Sequence, residues 1–204
     1  MPSKLLDHPL INRGGDSIEK FSAYKNKHPV ILDADFYYYK LSKDDQDHAQ
    51  RVMNLSLKIA LALGIGGDHY YLKRAAKYHD IGKLRISSEI LNKNGPLTDT
   101  ERKAMMIHAK YSGEMLCSVK EDRRVIEIAM LHHENYDGSG YPFKLKGDEI
   151  PIESRIIRVA DVFDALRSER PYKKVFPIDM CKDIMLKEKN HYDPEILKAL
   201  FIIE

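Results

Sequence analysis

Residues 132–142 read HHENYDGSGYP, so two adjacent imidazoles run directly into a glycine-rich turn that closes on a tyrosine and a proline. Histidines, a carboxylate and glycines contribute little to a hydrophobic core. Glycine instead allows backbone conformations closed to other residues and lets a ligand approach closely, and histidine is a frequent metal ligand and proton carrier. We therefore interpret this stretch as part of a functional site whose other members lie elsewhere in the chain.

Length and composition indicate one main domain with a short appendage. The chain has 204 residues, of which 43% are hydrophobic and 31% charged, and the net charge is +2. No apolar run approaches the roughly 20 residues that a membrane helix needs, so no membrane insertion is expected. The first residues lack the apolar core of a secretory signal, which favours the cytoplasm. Because both charge signs are interspersed, a long nucleic acid is not the expected partner.

The two cysteines, Cys117 and Cys181, lie far apart in segments with helical patterns. This spacing is not typical of a disulfide framework or of a thiolate zinc site. We expect two buried, reduced thiols. Residues 1–40 have an irregular pattern to which we assign no function, and we expect them to form an appendage that packs on the main domain or on a second subunit.

Several histidines fall on the core-facing stripes of predicted helices. A helix from about residue 42 to 64 places His48 in line with Val52 and Leu55, and Asp44 lies one turn before His48. A second helix, from about residue 68, is stopped by Gly82 after His79 and Asp80. Taken alone, each of these histidines has a simpler reading as a core or helix-capping residue.

The same pattern continues in the second half of the chain. The capping box of Thr98 and Glu101 predicts the start of a helix that turns His108 inward. A helix over about residues 121–134 turns His132 inward, with His133 about 100° further around the axis. These two can share a site only at a helix end.

A helix over residues 152–168 carries Asp161 and Asp164 on its broad apolar face, where a carboxylate costs free energy unless it is paired or binds a metal. We expect Asp161 to be the ligand and Asp164 to hydrogen-bond to the ligand set without binding the metal itself. Arg170, Lys173 and their neighbours form a local basic cluster of the kind that holds phosphate. Two further helices, from about residues 177 and 194, are assigned a packing role.

Taken together, these stripes bring five of the nine histidines inward with two carboxylates. Such a set is hard to satisfy by hydrogen bonding alone, because each unpaired buried polar group costs roughly 1–3 kcal/mol. A metal cluster would satisfy the set at once. Nitrogen and carboxylate ligands without thiolates suit iron or manganese, and zinc less exclusively. The inward-facing residues are His48, His79, Asp80, His108, His132, His133 and Asp161.

At this point the chain resembles the HD-GYP subgroup of the HD-domain phosphohydrolases, which hydrolyse the bacterial messenger cyclic di-GMP. The likeness runs from about residue 44 to 201. HDIGK at residues 79–83 matches the HD signature, and residues 132–142 match the GYP signature. The segments 91–93, 96–98 and 160–166 also fit the pattern.

The resemblance implies an all-α, HD-domain helical bundle over residues 41–204 with two or three divalent metal ions in its core, iron first and manganese as the alternative. It makes the seven inward-facing residues the metal ligands, and it places Asp44 where the family has a glutamate ligand to a third metal. Asp80 and Lys83 would be catalytic. Lys83, Gly140, Tyr141, Arg170 and Lys173 would contact the substrate.

The activity that the resemblance implies is hydrolysis of cyclic di-GMP to linear pGpG, and to GMP if the product is cut again, by attack of a metal-bridging hydroxide. Two alternatives stay open. The chain could hydrolyse another cyclic dinucleotide or nucleotide, because metal ligands do not select the base, or it could be a weakly catalytic module that binds cyclic di-GMP and signals through protein contacts. Regulation would come through the appendage, a homodimer, another protein partner or the metal redox state.

Overall fold

The structure of the protein is a computed structural model that describes residues 33–168 and 175–204. Within these ranges every regular element is helical and there is no β-strand, which confirms the predicted all-α class. None of the described helices combines the length and apolar character needed to cross a bilayer.

Four of the helices form the centre of the bundle. The helix Lys43–Ala62 packs against Tyr70–Tyr78 and Ile152–Arg167, and Tyr70–Tyr78 packs in turn against Arg123–Met130. Short 3-10 segments occur at Ile81–Arg85, Gly147–Glu149 and Lys189–His191. In chain order the described α-helices are α1 Ala34–Tyr38, α2 Lys43–Ala62, α3 Tyr70–Tyr78, α4 Ser88–Leu91, α5 Asp99–Met106, α6 His108–Ser118, α7 Arg123–Met130, α8 Ile152–Arg167, α9 Ile178–Lys187 and α10 Pro194–Ile203.

The predicted start of α2 is confirmed by its cap. The Ser42 hydroxyl accepts a hydrogen bond from the Asp45 amide, and acidic residues occupy the first turn, where they complement the helix dipole. The apolar stripe of α2 is fully buried at Val52 and Ile59, and His48 lies on the same stripe with 8% of its surface exposed. The sequence periodicity thus placed His48 correctly in the core.

The helix predicted to run from Thr98 through His108 is wrong in one respect, because the structure contains two helices there. The capping box of Thr98 and Glu101 opens α5 as predicted. The chain then tightens at Ile107, whose amide bonds to the Ala104 carbonyl three residues back. A new helix, α6, begins at His108. No glycine or proline marks this break, so the apolar pattern could not reveal it.

The helix predicted to reach residue 134 also ends earlier, at Met130. His132 and His133 therefore lie in the turn that follows α7 rather than inside a helix. The cysteine prediction is half correct: neither Cys117 nor Cys181 forms a disulfide and Cys181 is buried, but Cys117 is exposed.

Gly82 allows the 3-10 segment after α3 to lie directly against α6. Its amide donates to the Ser112 hydroxyl at 2.9 Å, and that hydroxyl donates to the His79 carbonyl at 2.6 Å. A Cβ atom at Gly82 would lie 2.0 Å from the His108 carbonyl oxygen and 2.5 Å from the Ser112 amide. Only glycine permits this approach, which brings His79 and His108 to the same place.

We predict that Gly82→Ala lowers the free energy of unfolding by about 3 kcal/mol, because the new methyl group meets backbone atoms that cannot move aside. Gly66→Ala is the matched control, since a Cβ there meets nothing within 4 Å, and we expect a change within about 0.5 kcal/mol. Denaturant unfolding of both variants measures the difference. Equal stabilities would contradict the close packing described here.

Candidate metal centre

The centre of the site is Asp80, which directly follows the His79 cap of α3 and is only 4% exposed. Its two carboxylate oxygens face different histidines. Oδ1 lies 3.2 Å from Nε2 of His108 and 3.8 Å from Nε2 of His132. Oδ2 lies 3.4 Å from Nε2 of His79 and 3.8 Å from Nε2 of His48. One carboxylate therefore joins two groups of nitrogen donors.

The charge of Asp80 is balanced by a neighbouring cation. Burial opposes ionisation, but the charge of Lys83, whose Nζ lies 2.6 Å from Oδ2, outweighs it. Lys83 thus holds the pKa of Asp80 well below its usual range. The carboxylate is thus anionic and available to a cation at neutral pH.

Three of the histidines are oriented in the same way, by a backbone carbonyl three residues earlier. In each case Nδ1 lies within hydrogen-bond distance of that oxygen, so Nδ1 carries the proton and donates it. The pairs are His79 with Ala76 at 2.8 Å, His108 with Met105 at 2.8 Å and His132 with Ala129 at 2.6 Å. This leaves each Nε2 as a bare acceptor that points into the cluster.

The bare nitrogens face one another across the site. Nε2 of His108 lies 3.3 Å from Nε2 of His132 and 3.1 Å from Nε2 of His133. Among the described residues, the buried Nε2 of His79 has no hydrogen-bond partner. Burial, reinforced by the neighbouring imidazoles, lowers the pKa of His132 and His133 well below the usual value, so protonation does not relieve the lone-pair contacts.

A divalent cation fits this donor set, because it would satisfy several facing lone pairs together. The ligand atoms form two compact groups that share Asp80, and within each group all atoms lie within 4.8 Å of one another. One group contains His108, His132 and His133, and the other contains His48 and His79.

His48 is held differently, by carboxylates. Its Nδ1 lies 2.7 Å from Oδ2 of Asp164, and its Nε2 lies 3.1 Å from Oδ1 of Asp161. Burial opposes protonation of His48, but these two hydrogen bonds outweigh it and raise its pKa to about 9. Arg51 in turn holds Asp164 through both carboxylate oxygens, at 2.7 and 3.0 Å. Asp164 therefore lies behind His48 and hydrogen-bonds to it.

The candidate third-metal ligand and the predicted phosphate-binding residues do not all lie in the site. Lys83 lies inside the site, as expected, whereas Asp44 is exposed and belongs to neither donor group. Arg170 and Lys173 lie outside the described residues. The role of each stays a prediction.

The loop after α7 folds back over the histidines. The Tyr141 ring stacks on the His133 ring with a centroid distance of 4.7 Å, and the Tyr141–Pro142 peptide bond is cis. Gly140 is buried so tightly that a Cβ there would lie 2.2 Å from the Asn135 amide. The GYP half of the stretch thus forms one wall beside the donor cluster.

The buried carboxylate of Glu134 fixes this loop by hydrogen bonds to its backbone. Its carboxylate is 1% exposed and accepts hydrogen bonds from the amides of Phe143 at 2.6 Å and Leu145 at 3.1 Å. On the other side, Arg158 of α8 donates from Nε to Asn135 at 3.0 Å. Burial raises the pKa of Tyr141, and the positive charge of Arg158 opposes this rise. Arg158 therefore lies close enough to the Tyr141 hydroxyl to influence its ionisation.

Four residues of the site, Arg51, Asp45, Arg158 and Ser112, were not predicted from the sequence. Helical spacing could have indicated Arg51, which lies three residues after His48 on the same helix. Ser112 lies one turn after His108 and could have been found in the same way. Asp45 and Arg158 carry no such signal, because their partners lie on other elements of the fold.

Comparison with known proteins agrees with this geometry. The sequence profile of the HD domain matches residues 42–196, more than half of the chain. The chain belongs to the HD-domain family. The resemblance to the HD-GYP subgroup expected from the sequence is confirmed.

Two curated relatives of this HD-domain chain come from bacteria. It is 44% identical over 156 residues to the 3′3′-cGAMP-specific phosphodiesterase 3 of Vibrio cholerae, a match that covers 75% of this chain and 34% of that protein. It is 38% identical over 157 residues to the cyclic di-GMP phosphodiesterase response regulator RpfG of Xanthomonas campestris, covering 74% and 41%. The chain thus spans well under half of each relative.

Among solved structures, an HDG"Y"P protein from Bdellovibrio bacteriovorus, Bd1817, superposes with a TM-score of 0.66 at 19% identity, covering 91% of this chain and 64% of that one. At this identity the likeness concerns the fold alone, which is the HD-domain helical bundle predicted from the sequence.

We predict that Glu134→Ala lowers the free energy of unfolding by about 3 kcal/mol, because two buried backbone amides lose their acceptor. Glu149→Ala is the matched control: Glu149 also accepts from a backbone amide, that of Lys146 at 3.0 Å, but it is exposed to water. We expect the control to lose about 0.5 kcal/mol. Thermal or denaturant unfolding of the two variants distinguishes them, and equal losses would refute the pinning role of Glu134.

Proposed function

We propose that the chain is a metal-dependent phosphodiesterase that hydrolyses cyclic dinucleotides, with cyclic di-GMP as the first candidate substrate. The observation that carries this proposal is the sharing of Asp80 by two groups of imidazole nitrogens. A carboxylate with one oxygen toward each group is suited to bridge two cations, and two-metal sites support in-line displacement at phosphorus.

The proposed ligands are the seven residues expected from the sequence, and Asp80 would be the ligand shared by both donor groups. Imidazole and carboxylate donors without thiolates favour iron or manganese over softer ions. We keep Asp44 as a candidate for a third ion only, since its carboxylate is exposed. The proposed ligand set is His48, His79, Asp80, His108, His132, His133 and Asp161.

Cations held there would supply Lewis acidity, which lowers the pKa of a water and offsets charge on the phosphodiester. The chain's own residues supply the rest. The Lys83 ammonium, beside Asp80, provides positive charge for the phosphate oxygens. Tyr141 and Gly140 form the wall along which a nucleotide would lie, and we assign Arg170 and Lys173 to the remaining phosphate.

The net reaction adds water across one phosphodiester bond of the ring. The water oxygen bonds to phosphorus, and the ribose 3′ oxygen leaves with a proton, which opens the ring to the linear dinucleotide. A second cut would give GMP. No protein nucleophile is needed for either step.

The names of the relatives support this class of substrate and leave the choice of base between two candidates. One relative is named for 3′3′-cGAMP and the other for cyclic di-GMP. We therefore keep 3′3′-cGAMP as the second candidate. The same proposal divides the chain into an appendage of residues 1–40 and a catalytic domain of residues 41–204. It also includes control through a homodimer or a regulatory protein partner.

We predict that protein purified without oxygen and loaded with ferrous iron or manganese converts cyclic di-GMP to linear product. His79→Ala should lose metal and lower the rate at least about 100-fold, because a bare inward nitrogen is removed. His191→Ala is the control, since that imidazole lies outside both donor groups. Chromatography of products and metal analysis provide the measurements.

Two outcomes would change the proposal. Loaded protein that binds cyclic di-GMP tightly but forms no linear product would refute hydrolysis and favour the binding-module alternative. Faster turnover of 3′3′-cGAMP than of cyclic di-GMP would replace the first candidate substrate with the second.

We also predict that Tyr141→Ala raises KM about tenfold, as expected for the loss of a ring that contacts a nucleobase, while the metal content is unchanged. Tyr70→Ala, which removes an exposed tyrosine at the start of α3, should leave KM unchanged. Steady-state kinetics and metal analysis test both variants. Loss of metal in Tyr141→Ala would contradict the separation of the stretch into a metal half and a substrate half.

A further inference from the structure

Lys83 has a second carboxylate partner besides Asp80. Its Nζ lies 2.6 Å from Oδ2 of Asp80 and 3.0 Å from Oδ1 of Asp45. The Lys83 side chain is 22% exposed, so it crosses from the site to the first turn of α2 with little contact with solvent. The ammonium is therefore held between two carboxylates that belong to different parts of the fold.

Asp45 is itself fixed at both carboxylate oxygens. While Oδ1 accepts from Lys83, Oδ2 accepts from the Ser42 hydroxyl at 2.6 Å. The same hydroxyl accepts from the Asp45 amide at 3.1 Å and caps α2. The helix cap thus orients the carboxylate, and the carboxylate orients the lysine.

The neighbouring aspartates of the same turn cannot take this role. Asp44 is exposed, and Asp47 pairs with Lys43, whose side chain is 80% exposed. Only Asp45 faces the 3-10 segment that carries Lys83. Position on the helix, rather than the general acidity of the turn, selects the contact.

We propose that Asp45 is a positioning residue that holds the Lys83 ammonium beside Asp80, where the hydrolysis proposed above needs its charge; the role of Lys83 in that step rests on the proposed function. A lysine on a flexible four-carbon stem loses considerable rotamer entropy when it is fixed at one point. A second, partly buried carboxylate fixes it in advance, so less of that entropy is lost during the reaction.

The first test uses Asp45→Asn, which keeps the side-chain shape and removes the charge. Asp47→Asn on the same turn is the matched control. We expect kcat to fall about tenfold in Asp45→Asn, as for the loss of one charge-assisted contact in the transition state. KM and metal content should stay unchanged. Asp45→Glu should recover part of the rate, and the control should behave as the wild type.

A double-mutant cycle then asks whether Asp45 acts through Lys83. In the Lys83→Met background, Asp45→Asn should cause no further loss of kcat, because residues that act as one unit are not additive. Additive losses would overturn the proposal, and so would loss of metal in Asp45→Asn.

The second test does not depend on activity. An amine-reactive reagent followed by peptide mass spectrometry measures how fast each lysine is modified. We expect Lys83 to react at least about threefold faster in Asp45→Asn than in the wild type, with no change for Lys83 in Asp47→Asn. An unchanged Lys83 rate in Asp45→Asn would refute the tether. Faster labelling in a protein that hydrolyses no cyclic dinucleotide would support the tether and refute the proposed function instead.

Discussion

The buried carboxylate of Asp80 is the constraint on which the site depends. A charge removed from water is stable only when cations and polar groups replace its hydration. Here the Lys83 ammonium does so, and the four imidazoles that face the carboxylate come from four separate segments of the chain. The bundle must therefore bring α2, the end of α3, the start of α6 and the turn after α7 to one point to assemble the donors around Asp80.

Three helix ends orient their histidines by the same hydrogen bond. His79, His108 and His132 each follow the last turn of a helix and donate Nδ1–H to a carbonyl of that turn. The last carbonyls of a helix have no intrahelical donor, so the imidazole satisfies a group that would otherwise be unpaired. The same hydrogen bond fixes the tautomer and points Nε2 inward. One interaction thus ends the helix and prepares the ligand.

This arrangement also explains what the sequence could and could not predict. Apolar periodicity placed His48 and Asp161 on buried stripes, because those residues lie inside long helices whose core faces are regular. It joined α5 to α6 and extended α7 too far, because the histidines that end these helices continue the inward stripe without a glycine or proline. Cys117 was misplaced in the core, since a small apolar residue on a helix satisfies the pattern on either face.

Contacts between elements were beyond the reach of the pattern. Asp45 lies in a turn with three aspartates that sequence alone cannot distinguish, and only the packing of α2 against the segment after α3 brings one of them to Lys83. Glu134 was quoted in the decisive stretch, but its role in pinning the loop depends on amides 9 and 11 residues later. The sequence therefore indicated which residues converge, whereas the structure supplies the groups that hold them.

His48 differs from the other histidines in a way that bears on the chemistry. A carboxylate, not a carbonyl, accepts from its Nδ1, and a carboxylate partner raises the basicity of the opposite nitrogen. Arg51 holds both oxygens of Asp164 and so limits the negative charge added behind the ring. His48 lies in the smaller donor group, which has only two imidazoles against three in the other. Both nitrogens of His48 thus face carboxylates, which explains why its pKa is raised to about 9 against the effect of burial, whereas burial and neighbouring imidazoles lower the pKa of His132 and His133.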